Sequence, residues 1–195
     1  MAAVTPSPPL TSPLGDPARA DPPVFLVGFM ASGKSTVGRI VAGRLGWEFR
    51  DLDTLVTLEA GRTVAEIFSS EGEDGFRRRE AEAVRAATAL RRTVIATGGG
   101  AACREENLAA MLDAGHVVAL VVTPDEVLRR AGTGANRSAR PLLGNAADPR
   151  AAAIDLMRAR EPFYARAHAR VPTDGRAPEE VAADVLRVIE ARSTP

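Results

Sequence analysis

The chain has 195 residues, of which 45% are hydrophobic, and its 25 lysine and arginine residues balance its 25 aspartate and glutamate residues. This length suffices for the core of one domain, and the formal net charge of zero argues against binding to nucleic acid by bulk attraction. The single cysteine, Cys103, excludes an intramolecular disulfide and a cysteine-based metal site, and no apolar run approaches the roughly 20 residues that span a bilayer. We therefore expect a cytoplasmic protein that binds neither nucleic acid nor membranes.

The chain divides into a proline-rich start and a regular remainder. Residues 1–23 contain seven of the fourteen prolines, which predicts a disordered extension. From Val24 onward, short apolar runs alternate with helical periodicity, a pattern typical of a parallel α/β sheet. Strands are predicted at 24–27, 47–51, 93–97, 117–122 and 169–171. Helices are predicted from the first loop to Gly46, from the capping box at Thr63 to Phe68, over 73–91, 105–114 and 150–161, from Pro124, and from Pro178 to about Ala191.

A phosphate-binding loop follows the first strand. Residues 28–35 match the pattern G-x-x-x-x-G-K-S between an apolar strand and an amphipathic helix. The glycines let backbone N–H groups turn towards phosphate oxygens, and the helix points its partial positive end at the same anion. Lys34 is predicted to reach the β- and γ-phosphates, and Ser35 to offer a hard oxygen to Mg²⁺. The pattern thus predicts an ATP and Mg²⁺ site, whose cofactor-binding residues are Ala31, Ser32, Gly33, Lys34, Ser35 and Thr36.

Two aspartates, Asp51 and Asp53, follow the second strand at the end where α/β sheets bind their ligands. In a strand-like segment, side chains two residues apart point the same way, so both carboxylates would face one cleft. One would hold Mg²⁺ through water, and the other would accept a proton from a substrate hydroxyl or orient it for in-line attack. The alternative is a surface acid followed by a helix N-cap at Asp53, which the nearby phosphate loop disfavours.

Arginines and a run of glycines add further candidate ligand-binding residues. Arg77 and Glu80 lie three residues apart on a predicted helix and can pair on one face. An arginine held in this way suits a carboxylate ligand, because a guanidinium binds a carboxylate bidentately. The run Gly98–Gly100 lets backbone amides approach a ligand closely. Residues 131–147 lack an apolar period and predict a mobile loop, from which Arg140 can swing onto transferring phosphoryl oxygens.

In their order along the chain, these motifs resemble those of the shikimate kinase family over nearly all of residues 24–190. The resemblance is carried by Gly28–Gly38, Phe49–Asp53, Glu71–Glu80, Gly98–Gly100, Arg140–Leu143 and Arg158–Tyr164. The phosphate loop alone is unspecific, whereas five further motifs at compatible spacing make the resemblance specific. It implies a P-loop NTPase fold like that of nucleoside monophosphate kinases. That fold has a five-stranded parallel sheet flanked by helices, here in a domain of residues 24–192 with a mobile lid at about 131–147.

The resemblance also implies a reaction. A monomer would transfer the γ-phosphoryl group of ATP to the 3-hydroxyl of shikimate, giving ADP and 3-phosphoshikimate on the route to chorismate and the aromatic amino acids. The catalytic residues implied are Asp53 as the base, Lys34, and Arg140 as a lid arginine that also binds ATP. The metal residues implied are Ser35 and Asp51. The substrate-binding residues implied are Asp53, Arg77, Gly98, Gly99, Gly100 and Arg160, with Glu80 orienting Arg77. Arg176 falls where the family packs the adenine ring, and Arg130 has an accessory phosphate role.

The chain departs from the family pattern at Ala31, which is often glycine, and at Leu52, which is often threonine. Neither side chain is a ligand in the roles above, so little effect is expected. The nearest alternative function is another small-molecule kinase, of gluconate or of a nucleoside monophosphate. The paired aspartates and the triple glycine favour a cyclic triol. A GTPase-type switch is disfavoured, because the single lysine, Lys34, leaves no lysine for a guanine-binding Asn-Lys-x-Asp sequence.

Overall fold

A computed structural model of the chain describes residues 21–132 and 148–193. Five strands lie in this part of the chain: β1 (Val24–Gly28), β2 (Glu48–Asp51), β3 (Thr93–Ala96), β4 (His116–Val121) and β5 (Ala169–Pro172). The described helices are α1 (Lys34–Leu45), α2 (Leu52–Ala60), α3 (Val64–Thr88), α4 (Glu105–Ala114), α5 (Pro124–Gly132), α6 (Pro149–Tyr164) and α7 (Pro178–Ser193). A 3₁₀ turn covers Ala101–Cys103. Strands alternate with helices, which confirms the predicted α/β class.

The five strands form one parallel sheet in the order β2-β3-β1-β4-β5. The first strand lies at the centre, where Val24 pairs with Val94 on one side and with His116 on the other. Because all strands run the same way, their carboxyl ends meet at one edge, which is where α/β sheets bind ligands. The turns after β1, β2 and β3 therefore lie side by side.

Both faces of the sheet are covered by helices, which explains why β1 is apolar without interruption. Phe25 and Val27 pack into a cluster on one face with α2 to α6, and Val24 and Leu26 pack into a second cluster on the other face with α1 and α7. Successive side chains of a strand point to opposite faces, so each cluster takes every second residue. The sheet is therefore packed on both faces.

The helices after β2 differ from the prediction. No helix was predicted over Leu52–Ala60, yet α2 forms there. Leu52 and Val56, one turn apart, are its buried residues. The predicted helices ending at Phe68 and beginning at 73 are joined into α3 and are separated only by a kink at Gly72, whose φ is 71°. The capping box at Thr63 is confirmed, since its hydroxyl accepts from the Glu66 N–H and the Glu66 carboxylate accepts from the Thr63 N–H at 2.7 Å.

Of the predicted extension, the structure describes residues 21–23, where the Pro23 carbonyl accepts from the His116 N–H at 2.9 Å. Residues 1–20 lie outside the described part of the chain, as do residues 133–147 of the predicted lid. The domain boundaries therefore stay a prediction. Across the two described ranges, no helix is long and apolar enough to cross a membrane.

Candidate active site

A cavity of about 710 Å³ opens at the carboxyl edge of the sheet. It is bordered by the turns that follow β1, β2, β3 and β5 and by the starts of α1 and α7. Among the predicted site residues, its lining includes Ala31, Ser32, Gly33, Lys34, Ser35, Thr36, Asp51, Asp53, Gly99 and Arg176. The fold thus brings the predicted phosphate loop and the predicted acidic pair to one cavity.

Carbonyl groups of the phosphate loop hold the side chain of Lys34. Gly33 caps α1 with a φ of 94°, and Lys34 is the first residue of that helix. The Lys34 side chain is folded back along the loop, and its Nζ donates to the carbonyls of Gly28 at 2.9 Å and Phe29 at 2.8 Å. The residue is only 9% exposed. Its ammonium charge is therefore fixed at the N-terminal end of a helix, where an anion is favoured.

Ser35 and Asp51 connect the first and second strand ends. The Ser35 Oγ donates to Asp51 Oδ2 at 2.6 Å, and Asp51 Oδ1 accepts from the Asp53 N–H at 3.2 Å. Both side chains line the cavity, and hydroxyl and carboxylate oxygens are the ligands that Mg²⁺ takes alongside phosphate and water. The donor set fits a Mg²⁺ shared with a nucleotide. A site made from side chains alone is not present in the described residues, which contain no suitable cluster of three or more His, Cys, Asp or Glu.

Asp53 lies at the cavity, as predicted. The predicted reason for the direction of its side chain, the alternation of a strand, is wrong. The strand ends at Asp51, which acts as the N-cap of α2, and Asp53 lies in the first helical turn. Helix geometry, and not the alternation of a strand, turns Asp53 towards the cavity. The N-cap is Asp51, two residues before Asp53, where the alternative placed it.

Asp53 has an unusual electrostatic environment. Its carboxylate opens onto the cavity, but protein atoms crowd the remaining sides and remove much of its hydration. This loss of hydration, together with the negative charges of Asp51 and Glu80, raises the pKa of Asp53 to about 6, against the opposing effect of Lys34 and Arg77. At neutral pH the group remains mostly ionised and is more basic than an ordinary aspartate.

Arg77 and Glu80 form the predicted pair on α3. Arg77 Nη1 donates to Glu80 Oε2 at 2.8 Å, and the glutamate is only 1% exposed. A β-carbon added to Gly100 would lie 2.8 Å from Arg77 Nη1, and one added to Gly98 would lie 2.7 Å from Asp53 Oδ1 and 2.9 Å from Glu80 Oε1. Gly98 and Gly100 therefore pass directly against these charged groups, at distances where an added β-carbon would displace the ends of their side chains.

Arg160 reaches the same glycines from α6. Its Nη1 donates to the Gly99 carbonyl at 2.9 Å, and its guanidinium lies 5.5 Å from the centre of the Phe29 ring. The hydroxyl of Tyr164, one helical turn later, donates to the same carbonyl at 2.6 Å. Arg77, Gly98, Gly100 and Arg160 do not line the cavity itself, but they lie next to Asp53 and Gly99, which do, through these contacts.

Two further arginines lie at the opposite end of the cavity. Arg130 donates to the carbonyls of Ala31 at 2.9 Å and Thr173 at 2.7 Å, so it ties the phosphate loop to the end of β5. Arg176 donates to the Pro172 carbonyl at 3.0 Å and pairs with Asp184 at 2.8 Å. In this arrangement the Arg130 guanidinium is engaged with backbone carbonyls. Arg140, the predicted lid arginine, lies outside the described residues.

Several residues at the site were not predicted from the sequence. Thr97, Arg129 and Thr173 line the cavity, and Tyr164 contacts Gly99. Tyr164 was seen as part of a motif but given no role, and its spacing of four residues from Arg160 was a usable signal, because residues four apart share a helix face. Thr97 and Thr173 follow strand ends, which is the corresponding signal for those positions.

A phosphate loop at the central strand, an acidic pair beside it and arginines at the far end define a P-loop kinase of small molecules. Comparison with known proteins agrees. The shikimate kinase family model matches residues 30–190. The chain belongs to the shikimate kinase family.

Individual relatives agree with the family match. A shikimate kinase of Symbiobacterium thermophilum is 49% identical over 171 residues, which cover 87% of this chain and 97% of the relative. A shikimate kinase of Streptomyces avermitilis is 47% identical, covering 88% of this chain and 97% of the relative. The structure of the Acinetobacter baumannii shikimate kinase in complex with shikimate superposes with a TM-score of 0.83 at 35% identity, covering 90% of this chain and 96% of that one. A gluconokinase of Sinorhizobium meliloti, at 14% identity and a TM-score of 0.59, shares the fold.

Proposed function

We propose that this chain catalyses the transfer of the γ-phosphoryl group of ATP to the 3-hydroxyl of shikimate, in the presence of Mg²⁺, to give 3-phosphoshikimate and ADP. This reaction lies in the biosynthesis of chorismate and the aromatic amino acids. The observation that carries the proposal is a single cavity in which a phosphate loop faces Asp53, with Arg77 and Arg160 beyond it. We further propose a monomeric, cytoplasmic enzyme whose kinase domain spans residues 24–192.

The donor side binds and orients the nucleotide. Backbone N–H groups of residues 31–36 would surround the phosphates, and the Lys34 ammonium would leave its loop carbonyls to reach the β- and γ-oxygens. Arg176 would pack beside the adenine ring. Ser35 and Asp51 would hold Mg²⁺, which when bound supplies positive charge to the phosphate oxygens. Arg140 would add a further charge from the lid.

The acceptor side would orient shikimate for in-line attack. A guanidinium binds a carboxylate with directed hydrogen bonds, so Arg77 and Arg160 would take the substrate carboxylate, with Glu80 fixing the angle of Arg77. The backbone of residues 98–100 would contact the ring hydroxyls. Asp53 would accept the proton of the 3-hydroxyl as the oxygen–phosphorus bond forms, and the bond between the γ-phosphorus and the bridging oxygen breaks to release ADP.

A coupled assay of ADP release tests this proposal. The enzyme is supplied with ATP and Mg²⁺ and, in separate reactions, with shikimate, quinate, gluconate or a nucleoside monophosphate. We expect turnover that depends on shikimate and is lost when EDTA removes the metal. Turnover on gluconate or a nucleoside monophosphate without any on shikimate would contradict the proposal and favour the alternative kinases.

A further inference from the structure

The carbonyl oxygen of Gly99 is approached by two donors from the same helix. Arg160 Nη1 lies 2.9 Å away and the Tyr164 hydroxyl 2.6 Å away. A carbonyl oxygen has two lone pairs, so these two donors satisfy it fully. The Cys103 Sγ lies 3.9 Å from the same oxygen and adds a weaker contact from the 3₁₀ turn.

Tyr164 is placed to act through this carbonyl and not on a ligand. The residue is 6% exposed and packs within the core cluster that contains Phe29 and Phe76, and it does not line the cavity. Burial raises the pKa of the Tyr164 hydroxyl above its ordinary value, so the group is a neutral donor. The Gly99 carbonyl therefore links the Tyr164 hydroxyl to the Arg160 guanidinium, because it accepts from both.

Gly99 lies where the two sides of the cavity meet. A β-carbon added there would lie 3.3 Å from Arg160 Nη1 and 3.5 Å from the backbone nitrogen of Met30 in the phosphate loop. A small movement of the Gly99 backbone would therefore change the position of Arg160 relative to the phosphate loop. Misplacement of reacting groups by about 1 Å can lower turnover up to about a hundredfold, so the anchoring of this carbonyl has functional weight.

We infer that Tyr164 is a positioning residue for the acceptor substrate: its hydroxyl anchors the Gly99 carbonyl and holds Arg160 in the orientation that binds the substrate carboxylate. This inference rests on the proposed function and adds a residue to it. Tyr164 does not line the cavity in which both ligands would bind. Its removal should therefore affect the acceptor side and leave the donor side unchanged.

The variant Tyr164→Phe keeps the ring packing and removes only the hydroxyl. Loss of one hydrogen bond corresponds to about a fivefold effect, so we expect KM for shikimate to rise about fivefold while KM for ATP stays unchanged. The matched control is Thr93→Val, which removes a hydroxyl bonded to the Arg91 carbonyl at 2.8 Å, at the opposite end of β3. The control should lower the melting temperature and leave both KM values unchanged.

The outcomes separate the hypotheses. Wild-type enzyme without shikimate turnover contradicts the proposed function. Wild-type turnover with unchanged KM for shikimate in Tyr164→Phe, or with equal rises in both KM values, contradicts only this inference. If the variant does not fold, the inference can be tested on the wild-type protein by ¹⁹F NMR, because Tyr164 is the single tyrosine of the chain. Protein labelled with 3-fluorotyrosine should show one ¹⁹F resonance that shifts with shikimate and not with ADP. A resonance that does not respond to shikimate overturns the inference.

Discussion

The donor side and the acceptor side of the cavity are built in different ways. The proposed phosphate-binding part of the donor side is one continuous stretch, from Gly28 to Thr36, and it presents mainly backbone N–H groups and one lysine. The proposed acceptor side would take Asp53 from α2, Arg77 from α3 and Arg160 from α6, around the glycines that follow β3. A phosphate can be bound by local backbone geometry, whereas a hydroxylated carboxylate needs side chains from several directions. The acceptor side therefore depends on tertiary packing. Substitutions on one side should change the binding of one ligand and leave the other unchanged.

The largest contrast should come from Asp53→Asn. A general base contributes roughly 10²–10⁴-fold to rate, so we expect kcat with shikimate to fall by about that factor. The dissociation constant for ATP, measured by calorimetry, should change little, because the phosphate loop is untouched. The matched donor variant is Lys34→Met, which should weaken ATP binding as well as turnover. Near wild-type turnover in Asp53→Asn would show that Asp53 does not act as the base.

The second largest effect is expected where Gly98 approaches the carboxylates of Asp53 and Glu80. In Gly98→Ala, the new β-carbon would lie 2.7 Å from Asp53 Oδ1 and 2.9 Å from Glu80 Oε1. Both atoms are the ends of side chains, so the fold should survive while both carboxylates are displaced. We expect kcat/KM for shikimate to fall by about 10- to 100-fold.

Gly43→Ala is the control for this variant, since a β-carbon there meets nothing within 4 Å. Gly43 lies in the interior of α1, where alanine is favoured over glycine by about 1 kcal/mol. The control should therefore gain stability and keep wild-type kinetics. If Gly98→Ala also keeps wild-type kinetics, the close approach of Gly98 to Asp53 does not matter for turnover.

A smaller effect is expected in the phosphate loop itself. Ala31 has a φ of 60°, in the left-handed region that costs an L-residue about 1–2 kcal/mol. Glycine avoids this cost but has greater freedom in the unfolded chain, so Ala31→Gly should stabilise the protein by about 0.5–1 kcal/mol. Urea unfolding measures the change. An unchanged or lower midpoint would show that the left-handed conformation costs Ala31 no more than the added freedom of glycine in the unfolded chain.

The smallest effect lies at the opposite end of the sheet, away from both sides of the cavity. The His168 Nδ1 accepts from the Val117 N–H at 3.1 Å, and loss of hydration, Arg192 and His116 lower the pKa of His168 below its ordinary value of 6.5. The folded state thus binds fewer protons than the unfolded state as the pH falls below about 6.5. Stability is full above this pH and decreases as the pH falls towards the folded pKa.

The variant His168→Asn keeps an acceptor near Val117 and removes the titration. We expect the drop in melting temperature between pH 7.5 and pH 5.5 to be smaller in the variant than in the wild type. An identical drop would assign the pH dependence of stability to other groups. His116 is a candidate, because loss of hydration and Arg192 lower its pKa as well.

The contrast between the two sides also explains what could be predicted from the sequence. The phosphate loop, the five strands and the capping box are local patterns, and each was found where it was expected. The helix α2 was missed, because Thr54, Val56 and Thr57 are β-branched and weaken the helical signal. Its two buried residues stand only one turn apart, which is too short a repeat to be read as a period.

The acceptor side could be predicted only in part. Arg77 and Glu80 were paired from their spacing, since residues three apart share a helix face. The bond from Arg160 to Gly99 joins residues 61 apart, and neither residue carries a local sign of the other. Resemblance to a family supplied Arg160 as a candidate, and the packing of α6 on the turn after β3 supplied the contact. The spacing of Tyr164 from Arg160 places both on one helix face, but it does not indicate the backbone carbonyl of Gly99 that both side chains contact.

The folded-back Lys34 has a practical consequence. It is the single lysine among the 195 residues, so an amine-reactive reagent has one side-chain target in this sequence. That target lies in the cavity wall with its Nζ held by two carbonyls, where a bound nucleotide would cover it. The rate at which this amine is modified therefore reports directly on occupancy of the donor side. Chemical labelling followed by mass spectrometry can thus rank nucleotides and inhibitors without a turnover assay.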